Sequence, residues 1–454
     1  DRAGAGAVRG RHGPDGIARL DGGHPARDTK RRRTRRRGLA PRASERCAGS
    51  EERACCPPDV QAPDPDQSLP ARAAPAFTLP LRHPLPVGMR DFLPAEARER
   101  AALAARVTRS FTLHGYCRVV VPAFEHAAVL ERGLGGLDGD EVLRFVEPET
   151  GEILALRPDL TPQIARLIVT RLLDEPAPVR LYYHGSVWRR RRARARRHQQ
   201  IPQAGIELVG PAATEGDLEV VRVGAAAVRA AGLERFVIDI GHVGVAAALL
   251  ADVPAAARGA LVDALALKDR AALVHRAERV GVRGSTLEGL AALPELHGGV
   301  DVWARAERAL GATAARGAVD ELRRSWERIC AEEPGVEVRA DLGETSRFDY
   351  YSGMTCQLFA EGPGEAIGSG GRYDELLARF GAPRPAAGIA LDLDNLAWAL
   401  ARAGVAGRNA DSLVIAGSSP DVEAMARELR ARGIACVVGP GVDPAGYGRA
   451  WQHS

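Results

Sequence analysis

Aromatic residues are scarce in this chain of 454 residues: they make up 5% of it, against 45% for apolar residues as a whole. The core must therefore be built mainly from Ala, Leu, Val and Ile. No apolar run reaches the roughly 18 residues of a membrane-spanning helix, so a membrane span is excluded. No signal-peptide-like apolar segment stands near the N-terminus, and we expect a cytoplasmic protein.

Cysteines are few, and their spacing points to no metal or disulfide framework. The seven lie at positions 47, 55, 56, 117, 330, 356 and 436. The count is odd, and no group of them has the spacing of a zinc site. We therefore predict reduced thiols and no bound metal. The length allows two or three domains.

Positive charge is concentrated in the first 80 residues. They hold 16 Lys and Arg against 10 Asp and Glu, a net +6, which leaves −2 for the rest of a chain whose total is +4. The remainder therefore lacks the basic balance of a dedicated nucleic-acid binder. Residues 1–80, rich in Gly, Pro and Arg with a basic block at 30–37, are predicted to be a disordered extension. A nucleic-acid-binding arm is the alternative.

Hydrophobic periodicity predicts one long helix near the start of the ordered part. Leu103, Val107 and Phe111 recur every four residues within 95–113, which places them on one helix face. A buried strand at 118–122 is predicted to follow, ending in a proline.

Further elements are predicted from alternation and turn chemistry. They are a hairpin of 142–147 and 152–156, a helix that starts at Thr161-Pro162, strands at 179–183 and 204–209, helices over about 242–330, and strands at 336–341 and 354–359. Near the C-terminus, a strand at 412–416, a helix at 421–432 and a strand at 434–438 form a predicted β–α–β unit.

Three groups of short motifs occur in one order along the chain. They are 156–162 (Leu-Arg-Pro-Asp-Leu-Thr-Pro), 182–189 followed by 203–207 (Gln-Ala-Gly-Ile-Glu), and 348–353 (Phe-Asp-Tyr-Tyr-Ser-Gly) followed by 368–374 (Gly-Ser-Gly-Gly-Arg-Tyr-Asp). They resemble the signature blocks of histidyl-tRNA synthetase, a class II aminoacyl-tRNA synthetase. Several blocks in the right order are more specific than any single motif. The resemblance covers roughly residues 85–402.

This resemblance implies an α+β fold, in which an antiparallel sheet of the class II synthetase type is flanked by helices. The domains implied are the extension 1–80, a synthetase-like core 81–405 with a helical insertion at about 242–330, and a segment 411–454. That last segment resembles part of an anticodon-binding α/β domain and is expected to be truncated. The helix and strand at 95–122 correspond to the dimer interface of the family.

The departures from the family concern its catalytic arginines. The arginine that attends the reacting phosphate is replaced by Ser346, and the arginine that grips the ATP γ-phosphate is replaced by Asn395. The second motif has Arg191 and Ala193 in place of a glutamate and a proline. Guanidinium groups stabilise phosphoryl charge bidentately, and losing one such partner typically costs about 3 kcal/mol of transition-state stabilisation. We therefore expect no synthetase chemistry and no catalytic residue.

The amino-acid pocket of the family is better preserved. The resemblance assigns histidine binding to Asp159 and Thr161 at the amino group, Arg189 at the carboxylate, Gln203 and Glu207 on one strand face, and Tyr350 and Tyr351 at the imidazole. Thr161 could instead be only a helix N-cap, and Asp159 only a turn residue. No cofactor is implied.

With a histidine site but without synthetase chemistry, the chain resembles the family of ATP phosphoribosyltransferase regulatory subunits. Such a subunit partners the short catalytic subunit in histidine biosynthesis and is not itself an enzyme. The resemblance implies activation of that subunit, histidine feedback, and a homodimer within a hetero-oligomer, without tRNA. Two alternatives stay open: an active histidine–tRNA ligase, and an RNA-binding protein without catalysis that uses the arginine-rich loop 189–197.

Overall fold

A mixed nine-stranded sheet organises the chain. The computed structural model describes residues 85–135, 142–189, 198–345, 350–405, 413–416, 420–439 and 449–452. The predictions for the extension 1–80, for Ser346, and for Arg191 and Ala193 in the arginine-rich loop lie outside the described residues.

Twelve helices are assigned within the described residues. They are α1 Pro94–Leu113, α2 Ala127–Leu134, α3 Thr161–Arg171, α4 Glu215–Ala230, α5 Val243–Leu249, α6 Ala255–Ala266, α7 Arg270–Arg279, α8 Gly284–Ala292, α9 Val302–Leu310, α10 Arg316–Glu332, α11 Leu393–Arg402 and α12 Pro420–Ala431. In the part of the chain that the structure describes, no helix is long and apolar enough to cross a membrane.

The described strands number fifteen. They are β1 Cys117–Arg118, β2 Phe124–His126, β3 Arg144–Val146, β4 Ile153–Leu156, β5 Val179–Trp188, β6 Gln200–Val209, β7 Val237–His242, β8 His297–Gly298, β9 Glu337–Asp341, β10 Met354–Phe359, β11 Gly368–Arg372, β12 Ala386–Asp392, β13 Leu413–Ala416, β14 Cys436–Gly439 and β15 Arg449–Gln452.

The large sheet has the order β1-β5-β6-β12-β11-β10-β7-β9-β8. Its six middle strands, from β5 to β7, pair antiparallel throughout, while the β1–β5 and β7–β9 pairs are parallel. The predicted α+β architecture with an antiparallel sheet is therefore confirmed for the centre, and the edges make the sheet mixed. The predicted hairpin is confirmed as β3 and β4, which form a separate small sheet with β2.

Each face of the large sheet carries its own hydrophobic cluster. One cluster packs α1 and α4 against Ile206 and Leu208 of β6. The other packs α2 and α3 against Leu181 and Tyr183 of β5. Because side chains alternate between faces along a strand, neighbouring residues of β5 and β6 belong to different clusters. The sheet is thus covered on both faces.

Helix α1 confirms the periodicity argument. Leu103, Val107 and Phe111 are all at most 3% exposed. The predicted strand at 118–122 is shorter than expected, because pairing with β5 ends after Arg118 apart from one bond from the Val119 N–H to Tyr182 O. Val120 is 77% exposed, so the segment leaves the sheet before its proline.

Strands β5 and β6 are longer than predicted, at ten residues each. The region 242–330 is helical as predicted, from α5 to α10, apart from the two-residue strand β8. The C-terminal β–α–β unit is confirmed as β13, α12 and β14, with parallel pairing. The sequence did not predict β15, which pairs parallel with β13. The division of the chain at residues 80 and 405–411 stays a prediction.

Phe111→Ala should lower the free energy of unfolding by about 3–5 kcal/mol, because it opens a cavity in a core where this ring is fully buried. Urea denaturation measures the change. Leu113→Ala on the same helix is the matched control: that side chain is 72% exposed, so a change within about 0.5 kcal/mol is expected. Equal losses in both variants would contradict the assigned core face.

Candidate functional site

Strand register brings the predicted polar residues of β6 to one face of the sheet. Gly185 pairs with Gln203, and Gly388 of β12 pairs with Glu207. Gln203 and Glu207 therefore share a face, as their spacing predicts. A Cβ atom at Gly388 would lie 2.5 Å from Glu207 Oε2, so only glycine leaves room for that carboxylate.

The loop before α3 supplies the next wall. The Thr161 N–H donates to Asp159 Oδ1 at 3.0 Å, and Thr161 Oγ1 donates to Glu207 Oε1 at 2.7 Å. Thr161 is the first residue of α3 and its hydroxyl does not cap the helix, so the N-cap alternative is wrong for its side chain. Asp159 accepts this amide two residues ahead of it, as the residue of a local turn does, and its second oxygen accepts from Tyr350.

Three tyrosines close the opposite side. Tyr350 donates its hydroxyl to Asp159 Oδ2 at 3.0 Å, and Tyr373 donates its hydroxyl to Glu207 Oε2. The ring of Tyr351 lies 4.7 Å from that of Tyr350, centroid to centroid, and the ring of Tyr373 lies 5.5 Å from it, edge on. An unbroken hydrogen-bonded chain thus runs from Tyr350 through Asp159, Thr161 and Glu207 to Tyr373.

These residues surround one pocket. Its cavity volume is about 20 Å³, room for about one water molecule, within about 340 Å³ of space between atoms that is partly open to solvent. The predicted residues on its wall are Asp159, Thr161, Arg189, Gln203, Tyr350 and Tyr351. Glu207, the seventh, reaches the wall through its bonds to Thr161 and Tyr373.

Sequence reasoning missed two tyrosines of the wall. Tyr183 and Tyr373 both line the pocket, together with backbone of Gly370 and Gly388. Tyr183 pairs with Gly205 across β5 and β6, midway between the positions of Gln203 and Glu207. Antiparallel register with period-two alternation would have placed it on the same face.

Burial governs the protonation of this site. Glu207 is 2% exposed, and burial raises the pKa of its carboxyl well above the usual range; Asp159 raises it further, while the bond from Thr161 opposes the shift. Burial also raises the pKa of Tyr183 and of Tyr350. Both phenols therefore remain neutral hydrogen-bond donors at ordinary pH.

Gln203 leaves an unused acceptor. Its side chain is 7% exposed, and Oε1 is buried without a hydrogen-bond partner among the described residues. A buried unpaired acceptor costs free energy that a ligand N–H would relieve. At the rim, Arg189 is half-buried and its Nε donates to Pro158 O at 2.6 Å. The pocket therefore offers acceptors inside and a guanidinium at its edge, an arrangement suited to an amino acid that carries additional N–H groups.

A second polar group lies further along the same sheet face. Gln357 of β10 donates to Glu344 Oε1 at 2.9 Å and pairs in register with Asp239 of β7. Burial, and then the charge of Asp341, raise the pKa of Asp239 to about 6 and that of Glu344 to about 7. Within the described residues, no group of three or more His, Cys, Asp or Glu is arranged to hold a metal ion.

Asn395 stands outside the pocket wall. It is 3% exposed, and its Nδ2 donates to Ala366 O at 2.9 Å. Its N–H donates to Asp392 Oδ1 at the start of α11. The neighbouring Asp394 forms ion pairs with Arg90 and Arg100. The amide thus joins α11 to the segment before β11.

Comparison with known proteins identifies the family to which this chain belongs. The family model for histidyl-tRNA synthetase matches residues 88–396. An ATP phosphoribosyltransferase regulatory subunit from Anaeromyxobacter sp. is 45% identical over 328 residues, or 70% of this chain and 93% of that protein. One from Moorella thermoacetica is 36% identical over 365 residues, or 80% and 93%. The chain belongs to the family of ATP phosphoribosyltransferase regulatory subunits.

Solved structures agree with this regulatory subunit family. An ATP phosphoribosyltransferase regulatory subunit/histidyl-tRNA synthetase from Bacillus halodurans superposes with a TM-score of 0.71 at 27% identity, covering 82% of this chain and 99% of that one. The synthetase-like fold and the family inferred from the motifs are therefore confirmed. The roles of the individual pocket residues stay predictions.

Glu344→Gln should stabilise the protein increasingly as pH rises. The pKa of Glu344 is about 7 in the folded protein, against a usual 4.5. As pH rises between these values, the unfolded chain releases the proton while the folded chain keeps it, so the free energy of unfolding falls. The variant, which has no proton to lose, should gain roughly 3 kcal/mol over wild type at pH 8 and little at pH 4.5. Urea unfolding at a series of pH values measures this. A pH-independent difference would contradict it; Glu99→Gln, which removes an exposed carboxylate of α1, controls for charge.

Proposed function

We propose that this chain is the non-catalytic regulatory subunit of ATP phosphoribosyltransferase, which binds the short catalytic subunit, raises its activity and mediates feedback by histidine. The relatives named above, which are regulatory subunits of ATP phosphoribosyltransferase, support the regulatory part of the proposal. Histidine as ligand, a homodimer within a hetero-oligomer, the absence of tRNA and a cytoplasmic location belong to the same proposal and rest on the motifs.

One observation supports histidine as the ligand most directly. The wall from Tyr350 through Asp159, Thr161 and Glu207 to Tyr373 is a continuous hydrogen-bonded chain around a pocket with a spare acceptor on Gln203. Such a wall can receive an ammonium group at Asp159 and an imidazole N–H at Glu207. Hydrogen bonds to charged groups are roughly twice as strong as neutral ones, which favours a zwitterion held between this wall and Arg189.

The proposal that the chain performs no synthetase reaction rests on Asn395. An amide lacks the charge of a guanidinium, and this one is committed to Ala366 O and buried. It cannot stabilise a phosphoryl group in flight. An active histidine–tRNA ligase remains the competing function and makes an opposite biochemical prediction.

The ATP phosphoribosyltransferase rate of the short catalytic subunit should rise when this chain is added, and histidine should then suppress it. The rate is measured with and without the full chain over a series of histidine concentrations. Absence of stimulation would contradict the regulatory function. Histidine-dependent exchange between ATP and pyrophosphate, measured on this chain alone, would then identify a ligase.

Glu207→Gln and Tyr350→Phe should each weaken histidine binding about tenfold or more, because the first replaces a carboxyl oxygen and the second removes a hydroxyl from the hydrogen-bonded pocket wall. Both should still assemble with the catalytic subunit and activate it, but with histidine inhibition reduced. Calorimetric titration with histidine and the coupled rate measure the two effects. Tyr182→Phe is the matched control on the opposite face of β5. Wild-type inhibition in both pocket variants would refute the site.

A further inference from the structure

Arg157 is a buried cation whose side-chain hydrogen bonds, among the described residues, all go to backbone carbonyls, and its guanidinium lies 5.9 Å from the centre of the Trp188 ring. Arg157 is 6% exposed. Its Nε donates to Ser186 O at 2.8 Å, and its Nη1 donates to Val121 O at 2.9 Å and to Pro122 O at 2.8 Å. Among the described residues no carboxylate forms an ion pair with it, and burial lowers its pKa. A buried charge without a counter-ion is costly, and the hydrogen bonds to these three carbonyls offset part of that cost.

The backbone of Arg157 joins the same two regions. Its N–H donates to Ala123 O at 3.2 Å, and its carbonyl accepts from the Trp188 N–H at 2.9 Å. The residue therefore fixes the segment 119–126, which we call the outer segment, to the end of β5. Asp159 of the pocket wall lies only two residues further along the chain, so Arg157 connects that wall to the outer segment.

Gln163 makes a second connection to the outer segment. It lies two residues after Thr161 in the first turn of α3 and is 0% exposed. Its Nε2 donates to Pro122 O at 3.1 Å and to Glu125 Oε2 at 3.3 Å. The carbonyl of Pro122 thus accepts from residues on both sides of the Asp159–Thr161 wall.

This second connection is incompletely paired. Gln163 Oε1 is buried and has no hydrogen-bond partner among the described residues. Arg166 of α3 adds a charged contact to the same outer segment, because its Nε donates to Glu125 Oε2 at 2.9 Å and its Nη2 lies 2.8 Å from that oxygen. The outer segment also presents apolar surface: Val120 is 77% exposed and Phe124 is 47% exposed, with the Phe124 ring 5.6 Å from that of Phe145.

We infer that Arg157 and Gln163 are positioning residues that transmit histidine binding from the Asp159–Thr161 wall to the outer segment. The inference rests on the proposed function, since it requires histidine in the pocket. A ligand ammonium that engages Asp159 and Thr161 pulls on the first turn of α3, and Gln163 and Arg157 carry that displacement to Pro122. The coupling is reciprocal: a partner that holds the outer segment changes histidine affinity by the same factor.

Hydrogen–deuterium exchange on the full chain tests this, with and without saturating histidine. In wild type, histidine should slow exchange both in the pocket strand 200–209 and in peptides covering 117–126, the latter by roughly fivefold or more, the lower end of usual coupling factors. Arg157→Lys keeps the charge but cannot span Ser186 O and Pro122 O at once. Gln163→Leu removes both donors together with the unpaired acceptor. Each should lose the histidine effect at 117–126 and keep it at 200–209.

Arg171→Lys, an exposed position at the end of α3, is the matched control and should behave as wild type. A purely structural role would raise exchange equally with and without histidine, and leave the histidine-dependent difference intact. That result, or a wild-type difference at 117–126 in both variants, overturns the inference. If wild type binds histidine but exchange slows only at 200–209, the coupling is refuted and the site is not. Absence of histidine binding by wild type refutes the histidine site and the coupling together.

Discussion

The pocket depends on a buried carboxylate that forms no ion pair with a cation in the part of the chain that the structure describes. Glu207 receives hydroxyl donors on both oxygens, from Thr161 and from Tyr373, and its side chain is almost fully buried. Neutral donors stabilise an anion less than an arginine would, so burial keeps its pKa high. The same carboxylate joins β6, the start of α3 and the end of β11, and the shape of the wall follows from it.

On the proposed function, this electrostatic imbalance selects the ligand of the pocket. Two carboxylates, Asp159 and Glu207, lie in one small space, while the guanidinium of Arg189 is held at the rim by Pro158 O. An anionic ligand would meet acceptors inside, whereas a ligand with N–H groups inside and a carboxylate outside matches every group in place. Selectivity of this kind comes from leaving polar groups unpaired when the wrong ligand binds.

The sequence predicted the helices that have one apolar face, and the motifs identified most of the pocket residues. The predictions failed where tertiary contacts override local patterns. Helix α1 needs only its own periodicity, since its buried residues all meet one core. Strands β5 and β6 were predicted too short because Gly185, Ser186 and Gln203 interrupt the apolar alternation. Gln203 lines the pocket, and a strand that contributes polar residues to a site departs from the apolar alternation by which strands are recognised elsewhere.

Thr161 shows the same competition at one residue. Its position before a proline favours an N-cap role for the hydroxyl. The carboxylate of Glu207, which comes close only in the folded chain, takes the hydroxyl instead, and Asp159 accepts the amide. No local rule could have decided between these partners. Tyr183 and Tyr373 were missed for the same reason, because their place in the wall depends on strand register.

The proposed loss of synthetase chemistry changes what ligand binding can accomplish. In a synthetase, interactions made with the substrate accelerate the reaction only if they strengthen in the transition state. With Asn395 committed to Ala366 O, the pocket has no phosphoryl group to stabilise on this proposal. Its binding free energy can instead bias one conformation over another, by as much as histidine prefers one of them. On the inference above, the outer segment has the connection that such a bias requires, because Arg157 and Gln163, on either side of Asp159–Thr161, both donate to Pro122 O.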